Sequence, residues 1–174
     1  MPARRKLGRA YDMRLSMLRG MVTTLILTGK IETTEARAKE VKRIAEQLIT
    51  MAIKEKDNFT TKEVTVSAAK LDGKGKKVLK SATSKNGSKY DVVEREVKKE
   101  MVQVDSPSRL AVRRQLMLWL NKSHDEKGNT VNPVNFLFDT VAPKYVGRTG
   151  GYARIIKLGA RRGDASEMAI LELL

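Results

Sequence analysis

The sequence predicts an α+β fold in which a small sheet carries helices on one face. Three observations point there. Two long segments of helical period flank a short β-prone run in the first third of the chain. Two shorter helical segments follow Ser106-Pro107. Two apolar-rich runs, Tyr152 to Leu158 and Met168 to Leu173, close the sequence as strands. The 174 residues allow one compact domain plus a sizeable insertion, and a 41% hydrophobic, 5% aromatic composition supplies a core of modest size.

From Asp12 to Gly29 the residues Leu15, Leu18, Val22, Leu25 and Ile26 recur at helical spacing, with Ser16, Gly20 and Thr23 turned away. Gly29 is the expected stop, since glycine accepts the left-handed conformation that ends many helices. Lys30 to Thr33 reads as a short strand. Thr33 or Thr34 is placed to cap the next helix, with Glu35 favourable in its first turn. That helix runs through about Ile53 on a stripe of Val41, Ile44, Ala45, Leu48 and Ala52, with Lys39, Lys42 and Arg43 opposite. Arg37 falls on the stripe itself, which leaves it either at an exposed helix start or held by a buried partner.

Composition changes at about residues 56–104. Val64 to Val66, Val78-Leu79 and Tyr90 to Val104 are β-prone, and Asp72-Gly73 and Asn86-Gly87 are turn signals. The stretch reads as an inserted β-rich hairpin or small meander, with a flexible loop as the competing reading because Lys, Ser and Gly are abundant. Beyond it, Ser106-Pro107 supplies a cap and first helical position. Leu116 to Leu120 is apolar almost all round, so burial of that half is expected. Asn132-Pro133 opens a short helix that should stop before Pro143.

Charge carries the functional signal. With 35 Lys+Arg against 20 Asp+Glu, the net charge is +15. Residues 1–43 hold a balance of +7 with seven arginines, and residues 140–163 hold six basic residues and no acid. A merely solubilising surface mixes both signs; arginine in acid-poor runs suits phosphate oxygens and base edges. A polyanion is therefore the expected partner. The basic stretch Arg4-Arg5-Lys6-Leu7-Gly8-Arg9, within residues 1–10, reads as an extended tail able to enter a crevice in folded RNA. In Lys144-Tyr-Val-Gly-Arg148-Thr-Gly-Gly-Tyr152-Ala-Arg154, the glycines permit close backbone approach. Arg148 and Arg154 offer phosphate forks there, and Tyr152 a stacking ring. A plain glycine-rich turn with its hydroxyl anchored in the core is the alternative for Tyr152.

Other chemistries lack their residues. The absence of cysteine excludes disulfides, thiolate zinc sites and cysteine nucleophiles. No phosphate-binding Gly-x-x-x-x-Gly-Lys loop exists, and His124, the single histidine, sits in a polar loop without a positioned partner in sequence. Glu94, Glu96 and Glu100 alternate with basic residues as a salt-paired surface. No catalytic residue, metal ligand, cofactor or small-molecule substrate is expected. No apolar run is long enough to span a membrane, and the basic N-terminus leads into an amphipathic segment instead of a secretory leader.

The runs Arg5-Lys6-Leu7-Gly8-Arg9, Met17-Leu18-Arg19, Lys30 to Glu40 and Leu48-Ile49-Thr50 resemble the bacterial large-subunit ribosomal protein family numbered seventeen. So do Arg148-x-Gly150-Gly151-Tyr152-x-Arg154-Ile155-x-Lys157-Leu158-Gly159-x-Arg161-Arg162-Gly163-Asp164 and Met168-Ala169-Ile170-x-Glu172-Leu173. The resemblance covers most of residues 3–54 and 136–174. It implies a two-layer fold in the order helix, strand, three helices, two strands, with a three-stranded sheet. On this reading residues 11–174 form one domain interrupted by 56–104, and Asn121 to Asn132 is a lengthened loop.

The implied role is structural: binding large-subunit (23S) rRNA near the exit tunnel on the solvent side of a cytoplasmic ribosome, beside other ribosomal proteins and without homo-oligomerisation. Carried over, the RNA contacts fall on Arg4, Arg5, Lys6, Arg9, Arg14, Arg19, Lys30, Lys39 and Arg43 in the first part of the chain. In the last part they fall on Arg148, Tyr152, Arg154, Arg161 and Arg162, with Gly150 and Gly151 as structural glycines. A nucleoid-type DNA-binding protein is the rival class, sharing the charge but having no need of the Gly-Gly-Tyr segment.

Overall fold

The computed structural model describes residues 5–124 and 128–174, and the chain divides into two compact units, Met1–Asn58 with Asp105–Leu174, and Phe59–Val104. The first unit begins with α1 (Tyr11–Thr28), whose buried face is Leu18, Val22, Leu25 and Ile26. Gly29 ends it in the left-handed conformation at φ 81°, and its N–H donates to the Leu25 carbonyl. Thr23 is buried and not turned to solvent: its hydroxyl donates to the Arg19 carbonyl at 2.8 Å and accepts the Asn121 N–H at 3.0 Å. A threonine beside the apolar stripe thus satisfies backbone from a segment 98 residues away.

Strand β1 (Lys30–Thr34) leads into α2 (Glu35–Glu55). Thr34 is the N-cap residue in extended conformation, but its hydroxyl makes no capping bond, so Glu35 in the first turn is the local stabiliser. Ala38, Val41, Ala45, Leu48, Ile49 and Ala52 are buried, while Ile44 is half-buried. Each fully buried Leu or Ile contributes about 1.5–3 kcal/mol, and Leu48→Ala would cost about 2–5 kcal/mol.

The second unit is strand from Phe59 onward. β2 (Phe59–Ala69) is bonded in a two-stranded sheet with β5 (Arg95–Asp105), and β3 (Leu79–Thr83) pairs antiparallel with β4 (Lys89–Val93). Gly87, at φ 79°, closes the β3–β4 turn. In the other turn Gly75, and not Gly73, takes the positive φ, because the N–H of Gly75 returns to the Asp72 carbonyl.

The first unit resumes with α3 (Pro107–Met117), preceded by Ser106 at the N-cap without a side-chain bond. The expected burial of Leu116 to Leu120 is corrected: Leu116 and Leu120 are buried, but Met117 is 55% and Leu118 64% exposed. The helix ends at Met117 and the Leu118 N–H turns back to the Gln115 carbonyl, so Leu116 and Leu120 face the core, half-buried Trp119 packs against it, and Met117 and Leu118 do not. The loop beyond holds a two-residue ladder, β6 (Ser123–His124) against β7 (Thr130–Val131).

Asn132 then caps α4 (Pro133–Phe136), its Oδ1 accepting the Val134 N–H at 3.1 Å. The chain does not stop before Pro143. It continues through a π-helical turn, Leu137–Val141, into α5 (Ala142–Lys144), where Pro143 sits in a first turn that needs no N–H from it.

β8 (Ala153–Ala160) and β9 (Glu167–Leu173) complete an antiparallel sheet of order β1-β9-β8, with Leu171 central between Ile31 and Ile155. A register shift between Lys157 and Gly159 uses the positive φ of Gly159. Helices α1 and α2 pack on this sheet, burying Ala169 and Leu171.

Candidate nucleic-acid interface

The N-terminal basic segment is not extended where it is described. Leu7 adopts φ 55°, Gly8 follows at 64°, and the Arg9 N–H returns to the Lys6 carbonyl, so that Leu7 packs against the core. Burying one leucine folds the segment back, and Arg5, Lys6 and Arg9 remain exposed around it. Arg4 lies outside the described residues. The Arg14 guanidinium donates to the Arg5 carbonyl at 3.3 Å and lies 5.4 Å from the centre of the Tyr11 ring. Arg5, Arg14 and, from α2, Arg43 line one small cavity of about 70 Å³ together with Glu40 and Trp119. Residues far apart in sequence thus present three guanidinium groups from one region of the surface.

The other cations differ in how far they are neutralised. Lys39 pairs with Glu35 at 2.7 Å, and Glu35 also takes Lys157 from β8 at 3.2 Å. Those bonds, Lys39 first, hold the Glu35 carboxyl below the ordinary glutamate range. Lys30 is exposed, and Arg19 is half-buried with its Nε withdrawn from solvent and unbonded among the described residues. Arg37 is half-buried at the start of α2. Arg154 pairs with Glu172 across β8 and β9. Arg161 grips Asp164 through two hydrogen bonds of 2.9 and 2.6 Å. This pair, with Ser166, holds the Asp164 carboxyl far below the usual range and builds the β8–β9 turn. Arg162 is exposed and has no ion pair among the described residues.

The glycine-rich loop is built from within. Tyr152 is only 2% exposed, its ring meets Tyr145 edge-on at 5.2 Å, and its hydroxyl donates to the Arg148 carbonyl at 3.0 Å. The reading of Tyr152 as a stacking ring is therefore corrected: the hydroxyl is anchored in the core and the ring has no free face for a base. Burial pushes the neighbouring Tyr145 hydroxyl up, against the opposing charge of Arg148. Gly147 and Gly151 take φ of 86° and 65°, which a side chain would resist. Arg148 itself is exposed, and its Nε donates to the Gly150 carbonyl at 3.1 Å, orienting the guanidinium over its own loop.

One arginine cluster escaped the sequence reading. Arg109, 5% exposed, meets Asp105 at 3.2 Å; Arg113 meets the same carboxylate at 2.7 Å, and both guanidinium groups lie over Phe138 at 4.9 and 5.2 Å. The spacing of Asp105, Arg109 and Arg113, four residues apart across the start of a helix, is the signal that could have found it. These two arginines brace the fold. Among the described residues no group of carboxylates and histidine could hold a metal ion, and no helix is long and apolar enough to cross a membrane.

Comparison with known proteins gives one consistent answer. The family described as ribosomal protein L17 matches residues 17–174. The large ribosomal subunit protein bL17 of Acetivibrio thermocellus is 58% identical over 174 residues, covering all of both chains. That of Ruminiclostridium cellulolyticum is 60% identical over the same span, again with full coverage of both. The bL17 protein of Lachnospira eligens is 48% identical over 179 residues, with 98% of each chain covered.

Proposed function

The chain belongs to the ribosomal protein L17 family, and from that premise we propose that it is a structural, non-catalytic constituent of the bacterial large ribosomal subunit that binds large-subunit rRNA. One observation carries the RNA-binding part. Arg43 lines the cavity shared with Arg5 and Arg14, and it also lines the groove bordered by Gly150 and Gly151, so the two arginine-rich ends of the sequence meet along α2. Guanidinium groups on a folded scaffold neutralise phosphates at fixed positions, which orders the RNA strand as well as attracting it. The contacts assigned here are Arg5, Lys6, Arg9, Arg14, Arg19, Lys30, Arg43, Arg148 and Arg162, with Arg4 continuing the basic run in sequence. Lys39, Arg154 and Arg161 contribute less, because Glu35, Glu172 and Asp164 already neutralise them. Gly150 and Gly151 serve as backbone and Tyr152 as its anchor.

Within the ribosome the family resemblance favours a place on the solvent side near the exit tunnel, with neighbouring ribosomal proteins as further partners and a monomeric protein. We read Phe59–Val104 as an insertion into the family's two-layer fold. Nothing in the geometry favours the DNA-compacting alternative. Sedimentation of ribosomes from cells expressing the tagged full chain tests the proposal: the tag should travel with the large subunit in low-magnesium buffer, where the two subunits separate. Recovery in the nucleoid or at the top of the gradient would contradict it.

A further inference from the structure

We infer that the groove between α2 and the glycine-rich loop is a nucleotide site that receives a single unstacked base of the bound RNA; this rests on the RNA-binding reading above. The groove encloses about 540 Å³, enough for one nucleotide, and opens to solvent. Met51 gives it apolar wall, with Tyr152 buried beneath, and Gln47 and Thr50 give it hydrogen-bonding groups. The Thr50 hydroxyl donates to the Glu46 carbonyl, so its oxygen still accepts. Arg43 supplies positive charge for the phosphate of the same nucleotide. Glu46 is the one carboxylate in the lining; its Oε1 is withdrawn from solvent and lies 3.9 Å from Lys42, so Arg43 and Lys42 against Glu46 leave a balance of +1 there.

A second, independent observation concerns Gly150. Gly151 is glycine because its φ is 65°, but Gly150 has no such φ and a Cβ built there would meet nothing within 4 Å. The fold does not require that side chain to be missing. Gly20, Gly73 and Gly163 are equally unconstrained, but of these four Gly150 borders the groove that Arg43 lines, where a side chain would hold a partner away from the loop backbone. Sequence-reading of RNA works mainly on splayed-out bases held against flat or apolar surfaces with their edges hydrogen-bonded. Gly150-Gly151 backbone, Met51 and the Gln47 amide provide those parts in one groove.

Gly150→Leu places a side chain in the groove without backbone strain. The test uses the full-length protein at fixed salt, with a ten-nucleotide single-stranded RNA and an inorganic polyphosphate of ten units as the base-free probe. Gly150→Leu should melt with the wild type and bind the RNA about fivefold more weakly or worse, in line with the loss of one base contact, while polyphosphate binding is unchanged. Arg43→Gln should weaken both probes. Equal affinity of wild type and Gly150→Leu for the RNA, or an equal loss on both probes, would overturn the base site and leave RNA binding standing. Failure of the wild type to bind the ten-nucleotide RNA while it still binds large-subunit rRNA would also overturn the base site, and failure to bind rRNA as well would remove the RNA-binding reading with it.

Discussion

The hydroxyl of Tyr152 donates to the carbonyl of Arg148 at 3.0 Å, so a ring that never reaches solvent fixes the backbone of the arginine that does. Preorganising an exposed cation lowers the entropy lost when it engages a phosphate. Tyr152→Phe keeps the packing on Tyr145 and removes only this bond. Stability should fall by about 0.5–1.5 kcal/mol in denaturant titrations. RNA affinity should fall with an unchanged salt slope, because no charge is lost. Wild-type values in both would mean the hydroxyl holds nothing.

Gly151→Val acts on the same loop by a different route. A β-branched residue at φ 65° is strained by about 1–3 kcal/mol. The variant should melt lower than wild type as well as bind RNA less well. An unaltered melting curve would show that the loop accepts another backbone path.

Arg148→Ala and Arg154→Ala separate a free cation from a spent one. Arg154 is paired with Glu172, whereas among the described residues the Arg148 side chain bonds only to its own loop through Nε, leaving its terminal nitrogens for phosphate. Each phosphate contact adds about 0.7 to the slope of log K against log salt for a single strand. The Arg148 variant should lose close to that amount and the Arg154 variant less. Equal losses would show that Glu172 releases Arg154 on binding.

Much of this arrangement was legible in advance. The period of α1, the stop at Gly29, the strand at Lys30 and the two closing strands all follow from patterns within about twenty residues. What failed did so for tertiary reasons. Thr23 is buried by an N–H from Asn121, Leu7 folds the basic segment back onto the core, and Met117 and Leu118 stay exposed because the helix ends beneath them. At the interface, sequence found the arginines but not their bookkeeping of charge. Glu35, Glu172 and Asp164 neutralise particular cations through folding, and Tyr152 turns inward because Tyr145 packs against it.

Acid should weaken the junction between α2 and β8. Glu35 has its folded pKa lowered by Lys39 and Lys157, so its contribution is fully present above the unfolded glutamate pKa. It is lost as pH falls through the lower folded value. Thermal stability should hold above about pH 5 and decline below about pH 4. Glu35→Gln should flatten part of that decline; an identical pH profile would show that the two lysines gain nothing from the carboxylate in the folded state.

Removing residues 59–104 should leave the remaining unit folded. The Ser106 N–H bonds to the Asn58 carbonyl at 3.2 Å, so the ends of the excised segment already meet and a short Gly/Ser linker can close them. Asp105 must be kept, because Arg109 and Arg113 both depend on it. A cooperative melt with native helical circular dichroism is expected. Loss of cooperativity would mean that Phe59–Val104 supplies part of the core.

The most direct measurement of the central claim is the salt dependence of binding between the full-length protein and large-subunit rRNA. About ten phosphate contacts, made by the assigned arginines and lysines of both ends, give an expected slope of log K against log salt near −7, steeper where the RNA is double-helical. A slope near zero, or equal affinity for rRNA and duplex DNA at physiological salt, would contradict the account.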